Sequence, residues 1–281
     1  MIIDIHTHIF PRAIREQRER YFDNEPAFKL LYDSPKSQLV SADELVAMMD
    51  AEGVDKAVTF GFPWQSADTF TYNNDYILEA VNRYPDRLIG FCCFDTINPR
   101  APAETQRCLE AGLAGVGELA FYCSDMGCIS LDCLEPVMAV CRQFDAPVMI
   151  HTNEPVGHQY PGKTDNTLSQ IYALVKRYQG NRIILAHWGG GIFFYNLLKK
   201  EVGSVLANVW FDTAASPYLY SADIYRHAMM LAGEEKLLWG TDFPLLKPGR
   251  YFSEIEKSGL TDNQRQMLTG GNAAALLKLP L

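Results

Sequence analysis

The stretch between residues 147 and 187 decides the fold of this chain. It contains two short apolar runs separated by a helical pattern. The first run reads PVMI (147–150), the helical pattern covers 166–178, and the second run reads RIILA (182–186). Apart from Arg182 at the start of the second run, both runs are continuously apolar rather than alternating, which is typical of strands buried on both faces of a parallel sheet. The stretch therefore predicts a β–α–β unit whose two strands are parallel neighbours.

The same alternation extends in both directions along the chain. The apolar runs predicted to be strands lie at 2–5, 56–60, 88–94, 115–119, 147–150, 182–186, 208–212 and 236–240. Helical patterns separate most of these runs, at 41–52, 74–83, 101–111, 131–142, 166–178 and 222–231. The long irregular stretch 12–40 is predicted to mix helix with an active-site loop.

The number of repeated units indicates the architecture. Eight strand–helix units in 281 residues predict an α/β fold, a single (β/α)8 TIM-like barrel that forms one domain over residues 1–281. An open, doubly wound parallel sheet is the alternative, because it is built from the same units.

Composition and charge narrow the range of partners. The chain carries 25 Lys and Arg against 34 Asp and Glu, a formal net charge of −9. Such a protein is not suited to neutralise phosphate backbones, so general nucleic-acid binding is not expected and a small molecule is the expected partner. No apolar run reaches the length of about 18 residues that spans a membrane, and a homo-oligomer is compatible with the sequence. Seven cysteines and an N-terminus without a secretory leader pattern predict a cytoplasmic protein with free thiols.

Histidines recur where predicted strands end. His6 and His8 are two residues apart in the first strand, so their imidazoles point to the same side, and neutral imidazole is a common zinc ligand. His151 ends the fifth run, His187 ends the sixth, and Asp242 follows the eighth. In a barrel these positions all lie on the C-terminal rim, where barrel active sites are built. The pair His6 and His8 alone could be polar residues of a half-exposed strand. The recurrence of histidines and an acid at several strand ends favours a divalent metal site instead.

These motifs together resemble the amidohydrolase superfamily, and within it the amidohydrolase-related group that includes aminocarboxymuconate-semialdehyde decarboxylase and related lactonases. The resemblance runs from HTHIFP (6–11) through GTDFP (240–244) to GNA (271–273). It implies a metal-dependent hydrolase or decarboxylase on a distorted barrel. It also implies the site residues: the metal ligands would be His6, His8, His151 and Asp242. His187 would orient or protonate the substrate or bind a second metal.

The fourth predicted strand departs from the family pattern. Many two-metal relatives carry a carboxylated lysine there, but no lysine lies between Arg107 and Val148. GVGEL (115–119) instead places Glu118 at the end of that strand, where it resembles the glutamate that bridges two ions in TatD-type nucleases. Glu118 also fits a role as hydrogen-bond partner of a ligand or as a loop cap. One ion and two ions therefore both remain open.

The predicted chemistry follows from a metal ion next to an acid. The leading prediction is a hydrolase in which metal-activated water attacks a small lactone, amide or ester, with Zn²⁺ expected and Mn²⁺ as the other candidate. Asp242 would accept the proton of the water, and His187 would stabilise or protonate the substrate oxygen. The alternative is a non-oxidative decarboxylase of a small unsaturated or aromatic carboxylic acid, which would use the same residues. A third hypothesis is that the barrel binds a metal ion and a metabolite without catalysing a reaction.

Four further residues are candidates for substrate binding. His158 and Tyr160 lie in the loop after the fifth strand, Trp188 follows His187, and Arg12 follows the first strand. Arg12, or Lys163 of the same loop as Tyr160, would hold an anionic group. Ordinary loop polarity and core packing are the competing explanations.

Overall fold

The computed structural model describes residues 1–122 and 126–279. Its eight strands are all parallel and follow one another in chain order around a single sheet. They are β1 (Ile3–His8), β2 (Lys56–Phe60), β3 (Leu88–Cys92), β4 (Gly115–Leu119), β5 (Val148–Ile150), β6 (Ile183–Leu185), β7 (Val209–Asp212) and β8 (Leu237–Leu238). A doubly wound sheet would reverse its strand order partway, so that alternative is wrong and the (β/α)8 barrel is confirmed.

The last strand segment closes the barrel against the first. Ile5 N donates to Trp239 O at 2.9 Å, and Asp242 N donates to His6 O at 2.9 Å. Closure removes the exposed sheet edges and sets the segment after β8 beside the end of β1. It therefore makes His6 and Asp242 neighbours although they lie at opposite ends of the chain.

Helices cover the outside of the barrel. Within the described residues they are α1 (Arg12–Glu16), α2 (Pro26–Tyr32), α3 (Ala42–Glu52), α4 (Ala67–Arg83), α5 (Ala101–Glu110), α6 (Cys128–Gln143), α7 (Leu168–Arg177), α8 (Val202–Val205), α9 (Ser216–Leu219), α10 (Asp223–Ala232), α11 (Pro248–Lys257), α12 (Asp262–Gln266) and α13 (Asn272–Leu276). The stretch 12–40 does contain helix, as predicted. Across the part of the chain that the structure describes, no helix is both long enough and apolar enough to cross a membrane.

The beginnings of two helices are held in different ways, one by a local cap and one by a distant residue. α3 begins at a capping box, in which Glu44 N donates to the Ser41 hydroxyl and Ser41 N donates to the Glu44 carboxylate, close to the predicted start at residue 41. α4 begins at Ala67, well before the predicted residue 74. The segment just before it is held by the buried Glu25 carboxylate, which accepts from Gln65 N at 2.8 Å and from Ser66 N at 2.9 Å. A contact with a residue so far along the chain leaves no local pattern.

The apolar strand residues contribute to two hydrophobic cores, one inside the barrel and one between the strands and the helices. Met149 and Ile184 belong to the cluster inside the barrel, whereas Ile183 and Leu185 pack outward against the helices. Alternate residues thus face different cores, which explains why the runs are apolar throughout. The predicted eighth strand, 236–240, is longer than the observed one, Leu237–Leu238. At Gly240 the chain still passes close to β1, because a Cβ atom there would lie 2.8 Å from the Cβ of His6.

Candidate metal centre

β1 presents two imidazoles at the C-terminal end of the barrel. His6 is fully buried and His8 is 8% exposed, and the ring of Phe60 lies against both, at centroid distances of 5.1 Å and 4.7 Å. Asp4 accepts hydrogen bonds from His6 N and Thr241 N, at 3.1 Å and 3.0 Å. Asp4 therefore ties the end of β1 to the segment that carries Asp242.

Glu118 reaches the same centre from β4. Gly117, just before it, has φ 126°, and a Cβ atom there would lie 2.4 Å from Met149 O. Only glycine allows this close approach of β4 to β5. The Glu118 carboxylate then lies 2.9 Å from His151 Nδ1 and 3.2 Å from His187 Nε2.

The structure brings together all six residues predicted as metal ligands or catalytic groups. They form three overlapping groups whose ligand atoms lie within 4.8 Å of one another: His6, His8 and Glu118; His6, His187 and Asp242; and Glu118, His151 and His187. All six come from the C-terminal ends of strands or the turns that follow. This is the rim on which barrel active sites are built.

The donor spacing in this cluster fits a divalent cation. His6 Nε2 is buried, has no hydrogen-bond partner among the described residues, and lies 3.6 Å from both Glu118 Oε2 and Asp242 Oδ1. His8 Nε2 lies 3.3 Å from Asp242 Oδ1. Tetrahedral ligands about 2.1 Å from an ion are about 3.4 Å apart, so these atoms have the spacing of ligands around a shared ion.

The carboxylates and imidazoles of the cluster shift one another's pKa values. Burial on its own would lower the pKa of His6, but the Glu118 and Asp212 carboxylates raise it well above its usual value. Burial would likewise lower the pKa of His187, whereas its contact with Glu118 raises it to about 9. Burial would raise the pKa of Glu118, but His151 and His6 hold it well below its usual value. The carboxylates thus require positive charge, and a divalent cation would supply it with release of the proton on His6 Nε2.

Asp212, at the end of β7, belongs to this site although the sequence reasoning assigned it no role. It is fully buried, its Oδ2 lies 2.9 Å from His6 Nδ1, and its Oδ1 accepts from His187 N at 2.8 Å. A carboxylate on the outer nitrogen of an imidazole orients the ring and directs the other nitrogen inward. The sequence feature that could have indicated this role is the position of Asp212, because it is an acidic residue at the end of a strand, as Glu118 is.

Two residues of the cluster adopt backbone conformations that are uncommon outside glycine. His187 has φ 53° and Asp242 has φ 62°, both in the left-handed region. Such a conformation costs about 1–3 kcal/mol and persists where surrounding contacts hold it, often at functional sites. Here His187 N donates to Asp212 and Asp242 N donates to His6 O.

The loop after β5 folds back onto His151. His151 Nε2 lies 3.0 Å from Gly162 O, so this backbone carbonyl fixes the ring with Nδ1 toward Glu118. Within the loop, Lys163 Nζ donates to Glu154 Oε1 at 2.8 Å, and the Tyr160 hydroxyl donates to Glu154 Oε2 at 2.8 Å. The ammonium group of Lys163 is therefore engaged inside its own loop.

The four candidate substrate-binding residues lie in different surroundings. Burial and the Glu154 carboxylate raise the pKa of Tyr160, and Asp242 adds to this shift. His158 is exposed, with its ring 5.6 Å from that of Tyr160. Arg12 has a side chain that is 80% exposed and bonded to an acidic neighbour on α1. Trp188 is fully buried and packs edge-on against a core tyrosine. Substrate binding by these residues stays a prediction.

Comparisons by sequence point to one family. The amidohydrolase family profile matches residues 3–279. The chain is 26% identical to 2-amino-3-carboxymuconate-6-semialdehyde decarboxylase from Dictyostelium discoideum, and the alignment covers 99% of this chain and 91% of that protein. The resemblance inferred from the motifs is confirmed.

Comparisons with solved structures show the same fold. The 5-carboxyvanillate decarboxylase from Novosphingobium aromaticivorans, with bound manganese and 3-methoxy-4-hydroxy-5-nitrobenzoic acid, matches with a TM-score of 0.79 and 17% identity, covering 99% of this chain and 97% of that one. A dihydroxybenzoic acid decarboxylase from Polaromonas sp. JS666, with bound manganese and the inhibitor 2-nitroresorcinol, has a TM-score of 0.71 and 17% identity, covering 99% and 96%.

Proposed function

Because this chain belongs to the amidohydrolase family, we propose that it is a metal-dependent, non-oxidative decarboxylase of a small aromatic or unsaturated carboxylic acid. The observation that carries the proposal is the similarity over 99% of the chain to a decarboxylase, in a chain whose buried His/Glu/Asp cluster fits a cation. Hydrolysis of a lactone, amide or ester, which the sequence placed first, becomes the second candidate. The similar proteins favour the decarboxylase.

We assign His6, His8, Asp242 and Glu118 as the residues that hold the ion. A divalent cation bound there would stabilise negative charge on substrate oxygens. We place Mn²⁺ ahead of Zn²⁺, because both structural neighbours were solved with manganese. His151 as a direct ligand, implied by the family resemblance, stays a prediction.

The contacts of Glu118 favour one ion over two. Its Oε1 lies at direct hydrogen-bond distance from His151 Nδ1 and His187 Nε2, at 2.9 Å and 3.2 Å. The buried nitrogen without a hydrogen-bond partner among the described residues is His6 Nε2, which lies near the other carboxylate oxygen of Glu118, Oε2. The His151–His187 side is thus satisfied by hydrogen bonds, and the side of His6 and Asp242 is the one that requires a cation.

Decarboxylation replaces a carbon–carboxylate bond with a carbon–hydrogen bond. The bond to the carboxylate breaks, CO₂ leaves, and a proton takes its place on the carbon. We assign His187 as the proton donor, because its Nδ1 lies 3.1 Å from Ala214 O and its Nε2 therefore faces the cluster. Asp242 would orient the substrate beside the ion and, in the hydrolytic candidate, accept the proton of water.

A substrate panel tests the function directly. Mn²⁺-loaded protein is incubated with 2,6-dihydroxybenzoate, 5-carboxyvanillate and 2-amino-3-carboxymuconate semialdehyde, and with lactones and aryl esters in parallel. We expect CO₂ release from at least one acid, lost on chelation and reduced at least about 100-fold in His187→Asn, the range of a general acid. The matched control His227→Asn changes an exposed histidine on α10 and should retain full activity. Hydrolysis of the lactones or esters without CO₂ release from any acid would overturn the proposal.

A further inference from the structure

Two tyrosines stand beside the metal centre on an aromatic wall. Tyr32 ends α2, and Tyr122 follows β4 shortly after Glu118. The ring of Phe62 lies between them, parallel to Tyr122 at 6.0 Å and 7°, and edge-on to Tyr32 at 6.0 Å and 79°. The Tyr122 ring is also 5.3 Å from the ring of His151. The wall is therefore continuous with the cluster.

The hydroxyl groups of both tyrosines lie within the field of the cluster. Burial raises the pKa of Tyr32, and the Asp242 and Glu118 carboxylates raise it further. Burial also raises the pKa of Tyr122, and the same two carboxylates add to the shift. A phenol has an ordinary pKa of about 10, so both hydroxyls are neutral and keep their O–H donors at neutral pH. Neither hydroxyl donates to another residue within 1–122 and 126–279.

Basic side chains of the flanking loops are engaged elsewhere. The Lys163 ammonium group donates to Glu154 and to two backbone carbonyls of its loop. The Arg18 guanidinium donates to backbone carbonyls, and Arg12 is bonded to Glu16. The phenol hydroxyls, by contrast, have their donors available. An anionic oxygen near the ion would therefore be able to accept hydrogen bonds from both phenol hydroxyls.

We propose that Tyr32 and Tyr122 bind the substrate and determine its specificity, each donating a hydrogen bond to an oxygen substituent of a planar aromatic acid. The ring of that acid would lie against the partly exposed rings of Tyr32 and Tyr122, which the buried Phe62 holds in place, while its carboxylate end faces Glu118 and Asp242. Because the donors are neutral phenols, the site selects rings that carry acceptor oxygens and does not depend on a guanidinium clamp. This inference rests on the proposed function for the class of substrate.

The test measures binding and does not require turnover. Dissociation constants of 2-nitroresorcinol and of nitrobenzene are measured by absorbance titration and calorimetry on Mn²⁺-loaded protein, with manganese content determined in every sample. The variants are Tyr32→Phe, Tyr122→Phe and the double variant. The matched control is Tyr72→Phe, which removes a hydroxyl from the exposed side chain of α4.

We expect each single variant to weaken binding of 2-nitroresorcinol by about tenfold, the effect of one lost hydrogen bond to a charged acceptor. Nitrobenzene binding, the manganese content and the control should be unchanged. Equal affinity of 2-nitroresorcinol for the double variant and the unaltered protein would overturn the inference. So would a lack of binding to the unaltered protein, or a loss of manganese in the variants, which would assign the tyrosines to metal binding.

The outcome is separable from that of the proposed function. If no acid releases CO₂ but the Tyr→Phe variants still weaken 2-nitroresorcinol binding, the decarboxylase proposal fails and the phenol site stands. If CO₂ is released and the variants bind 2-nitroresorcinol unchanged, the function stands and the phenol site fails.

Discussion

A single hydrogen-bond partner determines which nitrogen each histidine turns toward the cluster. His6 and His187 place Nδ1 against Asp212 and a backbone carbonyl, and His8 places Nδ1 2.9 Å from Gly61 O. All three therefore direct Nε2 inward. His151 is reversed, because a loop carbonyl takes its Nε2. These outer contacts fix the tautomers on which metal binding depends.

Asp212 provides a direct test of that dependence. Asp212→Asn keeps the shape of the side chain but removes the charge that orients His6, so we expect Mn²⁺ affinity to fall about 10- to 100-fold. Competition with a chromogenic chelator measures the dissociation constant. Asp223→Asn changes an exposed acid at the start of α10 and should leave the affinity unchanged. Equal affinity of Asp212→Asn and the unaltered protein would contradict the assigned role.

Metal stoichiometry tests the role of Glu118. With its Oε1 bonded to His151 and His187, we expect one ion per chain even in excess metal. Glu118→Gln should still bind one ion, more weakly, because His6, His8 and Asp242 remain. Elemental analysis of gel-filtered protein gives the number. Two ions per chain in the unaltered protein, falling to one in Glu118→Gln, would support the bridging glutamate instead.

At the scale of the elements, buried carboxylates join helices to the barrel. Glu104 on α5 is 6% exposed, and it accepts from Asn74 on α4 at 2.9 Å and from Arg107 at 2.8 Å and 2.9 Å. Asn74 in turn accepts from Cys93 N, at the end of β3. One carboxylate thus links two helices and, through Asn74, a strand.

This link predicts a pH-dependent contribution to stability. Burial would raise the pKa of Glu104, but hydrogen bonds from Arg107 and Asn74 lower it below its usual value. A carboxylate with a lowered folded-state pKa stabilises the protein above the unfolded pKa, and that stabilisation is lost as the pH falls through the folded pKa. We expect Glu104→Gln to lower the free energy of unfolding by about 1–3 kcal/mol at pH 7.

Urea denaturation across the acid range measures the effect of Glu104→Gln. The difference from the unaltered protein should shrink as the pH falls below about 4.3, the unfolded value for glutamate. Glu110→Gln on the same helix changes an exposed side chain and serves as the control. A difference that stays constant with pH would show that the ionised form of Glu104 is not what stabilises the link.

For the whole molecule, the centre joins the two ends of the chain. β1 supplies His6 and His8, β4 supplies Glu118, and the turn after β8 supplies Asp242. An ion held by all four would cross-link the closure of the barrel. Ligands that bind only the folded state stabilise it by mass action.

Metal loading should therefore stabilise the protein globally. At a free metal concentration 100 times the dissociation constant we expect about 2.7 kcal/mol, seen as a higher Tm for Mn²⁺-loaded than for chelated protein. His8→Ala should lose most of this shift, while His227→Ala, on the exposed face of α10, should keep it. Equal shifts in both variants would show that the ion binds elsewhere.

The sequence by itself determined the barrel and the rim on which the site lies. Strand runs such as 115–119 are local patterns, and parallel strands in chain order bring all their C-terminal ends to one rim. His6, His8, His151, His187 and Asp242 could therefore be predicted as neighbours from their places in the chain. The family resemblance added the kind of chemistry.

Only the tertiary structure decided the contacts between residues far apart in the chain. Asp212 meets His6 across 206 positions, and Glu25 accepts from Ser66 N, just before α4, from 41 positions away. The same holds for the wall on which Tyr32 and Tyr122 stand, because its rings come from α2 and from the segments after β2 and β4. A local sequence pattern reflects interactions between residues that are close in the chain. The contacts named here form only once the sheet has closed.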